Sequence, residues 1–406
     1  MYLKKTSAVL TAIFVTNLAI ANQNINSNWL YVGTLNGNYI ANAGGSSRTL
    51  NLLQDMQGME NVPSFILGGT LEGDMSSSHN SSQNSVPASG GFDNKNSSKA
   101  WIDTTRLAIL ANANNMFHAQ ARIDNTSSSN IKDATIIIGD LNKSPWYGSI
   151  GKEYVYSGDF IADSVYTNPL NYVYFKPGSL PEASIGYNKN NFNFDVTAFQ
   201  GVIVTNPNNS SFDKAQSYSG QFAIHAGYDI PLTLFKWHIS GGFINDIRNT
   251  QSGLTDLVAT NGGKLPAVDI STIITKGQLS FATEYDQLLK NAQDAGSSYI
   301  SNKKPGSYHM QVDYNFNWDK PITVFTGFSN TFNMQNLLGA DIAPASGANK
   351  NQYTAGANVA INNQLTLGLE YADVRQYIWS VNNNAPKPTS NISRYNIITF
   401  DGTLIF

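Results

Sequence analysis

Charged and histidine side chains, which could bind ligands or take part in chemistry, recur at every second position of short segments whose intervening residues are apolar. In residues 116–124, His118 and Arg122 alternate with phenylalanine, alanine and isoleucine, and residues 307–318 place His309 in the same way. Side chains two residues apart lie on one face of a β-strand, so these segments predict a polar face of mixed charge. Such a face suits the binding of a polar solute through several hydrogen bonds. It comprises Arg106, His118, Arg122, Asp124, Lys152, Asp195, His225, His238, Glu284, Asp286, His309, Asp313 and Glu370.

Metal binding and covalent catalysis are not favoured by this residue set. The sequence has no cysteine, and although four of its five histidines fall on the polar face, no two of them have metal-ligand spacing. We therefore predict no metal site and no cofactor. His238 and Ser240 share a face, as the base and nucleophile of barrel phospholipases do. In those enzymes the pair faces lipid, whereas here Trp237 and Ile239 take the apolar face, so a hydrolase is the least favoured alternative and we predict no enzyme activity.

Sixteen alternating segments are candidates for the strands that position these residues. Counted in chain order, every odd-numbered interval between segments is longer than the even-numbered interval that follows it, so short turns collect at one end and long loops at the other. This is the plan of an outer-membrane β-barrel. No proline falls inside a segment, as central strands require. The segments are 65–75, 104–112, 116–124, 133–139, 147–153, 183–188, 192–200, 221–228, 235–244, 267–275, 278–287, 307–318, 322–331, 351–361, 364–374 and 395–406.

The composition also favours a membrane barrel over a soluble protein. Charged residues make up only 13% of the 406 residues, against roughly 25% in typical soluble domains. The net charge of −3 argues against a nucleic-acid partner. The fold class is therefore predicted to be all-β, a transmembrane antiparallel up-and-down β-barrel of 16 strands in lipid. Fourteen strands remain possible, because segments 133–139, 147–153 and 183–188 are shorter than the roughly 9–11 residues of a tilted span.

The two ends of the sequence carry targeting signals. Residues 1–21 place Lys4 and Lys5 ahead of an apolar run that ends in Ala-Ile-Ala, which predicts a secretory signal peptide. Residues 22–64 are expected to form a periplasmic amino-terminal extension, with a partial plug of the lumen as an alternative, and residues 65–406 the barrel. Phe406 closes an alternating strand, and a terminal aromatic of this kind predicts recognition by the barrel-assembly machinery in the bacterial outer membrane.

One long interval, residues 154–182, is aromatic rather than rich in serine, asparagine and glycine. An aromatic loop that is exposed to water is costly, so this loop should fold against another surface. Two arrangements remain open, a loop folded into the lumen as a constriction and an extracellular hairpin packed on its neighbours. The candidate constriction residues are Asp159, Phe160, Asp163, Tyr166, Tyr172 and Tyr174.

Residues 139–160 resemble the siderophore-uptake outer-membrane porins typified by the legiobactin receptor. The shared features are a Gly-x-Leu-x-Lys-Ser-Pro turn at 139–145, Gly-Lys-x-Tyr at 151–154 and Gly-x-Phe at 158–160. The resemblance implies import of a small-molecule ligand such as a ferric siderophore, without a large plug domain. A general solute porin and a surface adhesin or structural barrel remain alternatives. The candidate substrate-binding residues are Arg106, His118, Arg122, Lys152, Tyr154, His309 and Asp313.

Overall fold

Sixteen antiparallel strands form a closed barrel in which β1 pairs with both β2 and β16. The computed structural model describes residues 48–56, 64–80, 97–124, 131–161, 167–202, 217–254, 264–291, 303–334, 349–362, 364–382 and 385–405. The strands are β1 (Ser64–Asn80), β2 (Ser97–Asn112), β3 (Phe117–Asp124), β4 (Ile131–Gly139), β5 (Trp146–Tyr154), β6 (Ser179–Lys189), β7 (Phe192–Val202), β8 (Ser217–Pro231), β9 (Lys236–Ile244), β10 (Ala267–Lys276), β11 (Leu279–Leu288), β12 (Gly306–Phe316), β13 (Ile322–Phe332), β14 (Asn349–Ala360), β15 (Leu365–Asn382) and β16 (Ala385–Ile405).

The alternation of the sequence matches the two faces of the barrel wall. On β12, Met310 and Val312 keep 46% and 37% of their surface exposed on the outside. His309, Gln311 and Asp313, which alternate with them, are buried on the inside. A continuous exposed apolar belt of this kind requires lipid rather than water, so the prediction of a barrel with an apolar outer face and a polar lumen is confirmed.

The barrel has sixteen strands, and the alternative of fourteen is wrong. The three segments that were too short in the sequence become the longer strands β4, β5 and β6. Their ends lack strict alternation because glycine, proline and lysine stand there, so the hydrophobic pattern marks only the middle of each strand. Backbone pairing with the neighbouring strands extends all three to a length that spans a bilayer.

Two features of the loops and prolines differ from the prediction. The interval between the last two strands is not a long loop, because β15 and β16 extend to Asn382 and Ala385 as one long hairpin. Prolines do occur in strands: Pro181 in β6, Pro231 at the end of β8, and two prolines in the extension of β16. These positions lie near strand ends, where a missing ladder donor is tolerated.

A short helix, α1 (Arg48–Met56), lies inside the barrel at the end where the short turns are. Its residues Leu50, Leu52 and Leu53 are buried in one cluster with inward-facing Ile66 and Leu110. The helix therefore packs against inward-facing side chains at this end of the barrel. The predicted role of residues 22–64 as a periplasmic extension stays a prediction. Among the described residues, no helix is long and apolar enough to cross a membrane. The predicted signal peptide and Phe406 lie outside the described residues.

Candidate functional site: a loop held across the lumen

The connection between β5 and β6, described at residues 155–161 and 167–178, folds into the barrel, and these residues are called the lumen loop here. It contains the helix α2 (Leu170–Phe175), which lies against β11 to β14. Its apolar side chains join a buried cluster with inward-facing residues of distant strands. The aromatic composition of the loop thus has a packing partner inside the barrel. The cluster is formed by Val155, Phe160, Leu170, Tyr174, Phe175, Leu180, Phe199, Ala223, Ile244, Ile247, Leu254, Leu265, Ala267, Leu288 and Met334.

Glu284 on β11 is the principal anchor of the lumen loop. Its two carboxylate oxygens accept hydrogen bonds from the backbone N–H groups of Phe160, at 2.8 Å, and Ile161, at 2.9 Å. The side-chain amide of Asn171, in α2, donates a third hydrogen bond to the same carboxylate. Glu284 and Asn171 are almost completely buried, so these charge-assisted bonds act in a medium where they are strong.

Asp159 forms a second anchor, on the wall made by β8, β9 and β10. Ser240 donates a hydrogen bond of 2.6 Å to Asp159 Oδ2, and Ser271 donates another. The Nε2 atoms of His225 and His238 lie 3.5 and 3.4 Å from its two oxygens. Burial alone would raise the pKa of the Asp159 carboxyl, but the two imidazoles stabilise its ionised form and hold that pKa well below its usual range.

The far end of the loop reaches β14 and β15. The N–H group of Thr167 donates to Glu370 Oε1 at 3.0 Å, and Gln352 Nε2 donates to the carbonyl of Asn168 at 3.1 Å. The hydroxyl of Tyr174 accepts a hydrogen bond of 2.8 Å from the N–H group of Asn349. Burial raises the pKa of Tyr174 to about 12, so it stays neutral. Because the loop starts at β5 and is held at β8 to β11, β14 and β15, it crosses the lumen.

The structure places four of the six predicted constriction residues in this loop crossing. Asp159 and Phe160 belong to the anchors, while Tyr172 and Tyr174 belong to α2. Asp163 and Tyr166 lie outside the described residues. The extracellular hairpin was the wrong alternative of the two, because the described loop residues contact inward-facing side chains. The role of these residues in transport stays a prediction.

The predicted substrate-binding residues are not assembled into one site. Arg106 pairs with Asp124 at 3.1 Å, and Arg122 pairs with Asp133. His309 and Asp313 lie on β12, far around the closed strand order from β2 and β3. Five of the predicted lumen residues do face inward, namely Arg106, Arg122, Asp124, His309 and Asp313.

His118 also faces the lumen, where its Nδ1 atom lies 3.0 Å from the side-chain oxygen of Asn112. This contact and the arginine pairs tie the predicted residues into the wall. These residues do not gather positive charge at one point of the lumen.

Lys152 and Tyr154 do not face the lumen, which corrects the prediction for Lys152. They follow Ile150, which is 57% exposed, at period two on the outer face of β5, while Glu153 between them is buried. Both line a cavity of about 420 Å³ at the long-loop end of the barrel, called the basic cavity here. Lys132 and Lys176 complete its positive charge, and the Lys176 ammonium lies 4.7 Å from the ring centre of Tyr154.

Two groups of three carboxylates face the lumen, and both were missed from the sequence. Glu72, Asp74 and Asp401 form the first, called the acidic wall here, across the seam between β1 and β16. The second, Asp269, Glu284 and Asp286, is called the acid trio here and lies on β10 and β11. Within each group the nearest carboxylate oxygens all lie within 4.8 Å of one another. The alternating sequence pattern predicts that each of these carboxylates faces inward, but only the register between paired strands brings the three carboxylates of a group together.

Solved structures with the same fold are outer-membrane porins. The outer membrane channel DcaP of Acinetobacter baumannii is 12% identical, with a TM-score of 0.55 over 85% of this chain and 97% of that chain. An anion-selective porin from Comamonas acidovorans is 11% identical, with a TM-score of 0.53 over 85% and 100%. OmpF of Salmonella typhi is 10% identical, with a TM-score of 0.52 over 85% and 98%.

These likenesses show that the chain has the barrel fold of outer-membrane porins. No curated protein matches the sequence. The resemblance to siderophore-uptake porins finds no counterpart in these comparisons and stays a hypothesis. A family model described as "Protein of unknown function (DUF3573)" matches residues 15–234. Because that match covers more than half of the sequence, the chain belongs to this family.

Proposed function

We propose that this protein is an outer-membrane channel through which small polar solutes diffuse, with no covalent step. The observation that carries the proposal is the lumen loop, which Glu284 and Asp159 hold across the interior of a closed barrel. A loop anchored in this way narrows a passage and lines it with fixed hydrogen-bonding groups. A surface adhesin has no need of such internal anchors, since its external loops would carry its function.

We further propose that the channel favours cationic and neutral solutes over anions. The lumen arginines are neutralised, because Arg106 and Arg122 each pair with a carboxylate. Asp74 and Asp401 of the acidic wall, by contrast, are buried and keep carboxylate oxygens without a hydrogen-bond partner. The three carboxylates of the acidic wall lie within 4.8 Å of one another, so they share protons. The negative charge that remains on the group attracts cations and repels anions, as rings of carboxylates do in cation channels.

Planar-bilayer recordings test this preference directly. Substituting Glu72→Gln, Asp74→Asn and Asp401→Asn together is expected to move the reversal potential in a KCl gradient toward zero, because the fixed negative charge is lost. The matched control is Asp319→Asn, which removes a carboxylate from the exposed short turn between β12 and β13 and should leave the reversal potential unchanged. An unchanged reversal potential in the triple variant would contradict the charge preference, and absence of any conductance in the wild type would contradict the channel itself.

A second candidate function is uptake of a ferric siderophore, and the basic cavity favours it. Its volume of about 420 Å³ falls in the range of small-molecule sites, and it is lined by Lys132, Lys152, Lys176, Tyr154 and Tyr172. Ammonium groups and phenol rings suit an anionic ferric chelate. Lys152 and Tyr154 belong to the block that resembles the siderophore porins. The chelate would bind at the cavity and then enter the channel.

Binding of ferric citrate, an anionic chelate, tests this second function. In the detergent-solubilised protein, Lys132→Gln with Lys152→Gln and Lys176→Gln is expected to weaken binding of ferric citrate at least about tenfold, because three attractive charges are removed. The control is the triple substitution of Lys236, Lys276 and Lys320 by glutamine, which removes the same charge at the short-turn end of the barrel. Equal affinity in the two triple variants would refute a specific chelate site at the cavity.

A further inference from the structure

The acid trio is the most deeply buried group of like charges among the described residues. Asp269, Glu284 and Asp286 keep only 3%, 1% and 1% of their surface exposed. Asp269 and Asp286 stand directly opposite each other in the pairing of β10 with β11, so their side chains leave the wall side by side. Glu284 lies two residues before Asp286 on the same face.

The hydrogen bonds of the acid trio are distributed unequally. Glu284 accepts the three hydrogen bonds from the lumen loop described above. Both carboxylate oxygens of Asp269 and the Oδ2 atom of Asp286 are buried without a hydrogen-bond partner. His309 lies opposite Glu284 in the neighbouring ladder, but its two nitrogens contact Ser329 and Gln311. Among the described residues, Asp269 and Asp286 therefore have no basic partner that would balance their charge, and their carboxyl groups contact only each other and Glu284.

We propose that the acid trio binds one divalent metal ion of the calcium class. Buried carboxylates without partners are costly, and a bound cation relieves both the desolvation and the mutual repulsion. The donor set contains only oxygen, which hard cations prefer, whereas zinc and copper sites use nitrogen or sulfur. Calcium binds oxygen at about 2.3–2.6 Å, so two of its ligands lie up to about 5 Å apart. The spacing within the trio, up to 4.8 Å, matches that span.

The metal ion would also secure the lumen loop. Glu284 is shared between the trio and the loop, since each carboxylate oxygen has two lone pairs and can serve an N–H donor and an ion together. Gly158 in the loop runs so close to Asp269 that an added Cβ would stand 2.7 Å from its Cγ atom. The ion therefore lies directly beneath the loop, and its loss would loosen the point where the loop meets β10 and β11.

Equilibrium dialysis of radioactive calcium against the full-length, detergent-solubilised barrel, previously stripped with a chelator, tests the proposal. The wild type is expected to bind one equivalent more than the variant Asp269→Asn with Asp286→Asn. The control, Glu153→Gln with Glu182→Gln, removes two other buried carboxylates and should bind as the wild type does. Calcium should also raise the temperature at which heat changes the gel migration of the wild type, but not that of the trio variant.

The reading is overturned if the wild type and the trio variant bind equal amounts of calcium. Should the double variant fail to fold, Asp286→Asn alone replaces it, because the Oδ2 atom of Asp286 has no hydrogen bond to lose. An equal heat-modification temperature with calcium and with chelator in the wild type would mean that shared protons, rather than a metal ion, hold the trio together. Neither measurement depends on conductance, so failure here leaves the channel proposal intact.

Discussion

Replacing Glu284 by glutamine is expected to raise the single-channel conductance in planar bilayers by about twofold, because the lumen loop loses its main anchor and swings clear of the passage. The Glu284 carboxylate accepts two hydrogen bonds from backbone N–H groups and one from a side-chain amide. Hydrogen bonds to charged groups contribute about 1.5–3 kcal/mol each, so this anchor holds the loop by several kcal/mol. Glutamine has nearly the same volume, but its NH₂ group is a hydrogen-bond donor and cannot accept the hydrogen bonds that the loop donates.

The matched control for this variant is Glu182→Gln on β6. Glu182 is also a buried inward carboxylate, but it accepts a hydrogen bond from Ser149 in the barrel wall rather than from the lumen loop. The Glu182→Gln variant removes the same charge without releasing the anchor of the lumen loop, so its conductance should stay near that of the wild type. If Glu284→Gln conducts like the wild type, the loop does not depend on this carboxylate, and Asp159 with the apolar cluster must hold it alone.

Replacing Arg122 by alanine is expected to lower the free energy of unfolding by about 3–5 kcal/mol, because a buried carboxylate loses its partner. Arg122 and Asp133 each keep only 1% of their side-chain surface exposed. Asp133 also accepts a hydrogen bond of 2.7 Å from Ser179, so the pair joins β3, β4 and β6. Urea-induced unfolding of the barrel in lipid vesicles, followed by tryptophan fluorescence, measures the loss.

Arg394→Ala provides the comparison, because the Arg394–Asp373 pair is also an arginine–carboxylate contact between adjacent strands. Arg394 keeps 48% of its side-chain surface exposed, and exposed ion pairs contribute little. Its loss should leave the unfolding midpoint nearly unchanged. The double variant Arg122→Met with Asp133→Leu should recover most of the stability, since both buried charges leave together. Similar midpoints for Arg122→Ala and Arg394→Ala would contradict the argument from burial.

The barrel itself could be predicted because its signal is local. An apolar residue at every second position marks a strand wherever it occurs, and the order of short and long intervals fixes the end at which each strand turns. Strand ends were less visible. In β4 to β6 and in the hairpin of β15 and β16, polar residues and proline interrupt the pattern, and only pairing with a neighbour extends the strand.

The functional residues were harder to predict, because their neighbours are set by register and closure. The sequence analysis predicts an inward Lys152, but this residue shares the face of Ile150, and the structure places it at the outer rim. Asp269 and Asp286 meet only because β10 and β11 pair in one register, and Asp74 meets Asp401 across the seam. The Glu284 anchor of the lumen loop joins residues more than a hundred positions apart, which no local pattern can indicate.

The seam between β1 and β16 has a consequence for how the barrel forms. Every other ladder joins strands that are consecutive in sequence, whereas this one pairs Thr70 with Ile405. Entropy disfavours such distant pairing, and contacts between remote positions slow folding. Until the seam closes, both edge strands expose unpaired backbone, and Asp74 stands opposite Asp401 in its register. Hairpins should therefore assemble first and the cylinder seal last, which makes the seam the slow step and the place where a partly folded chain is open to aggregation.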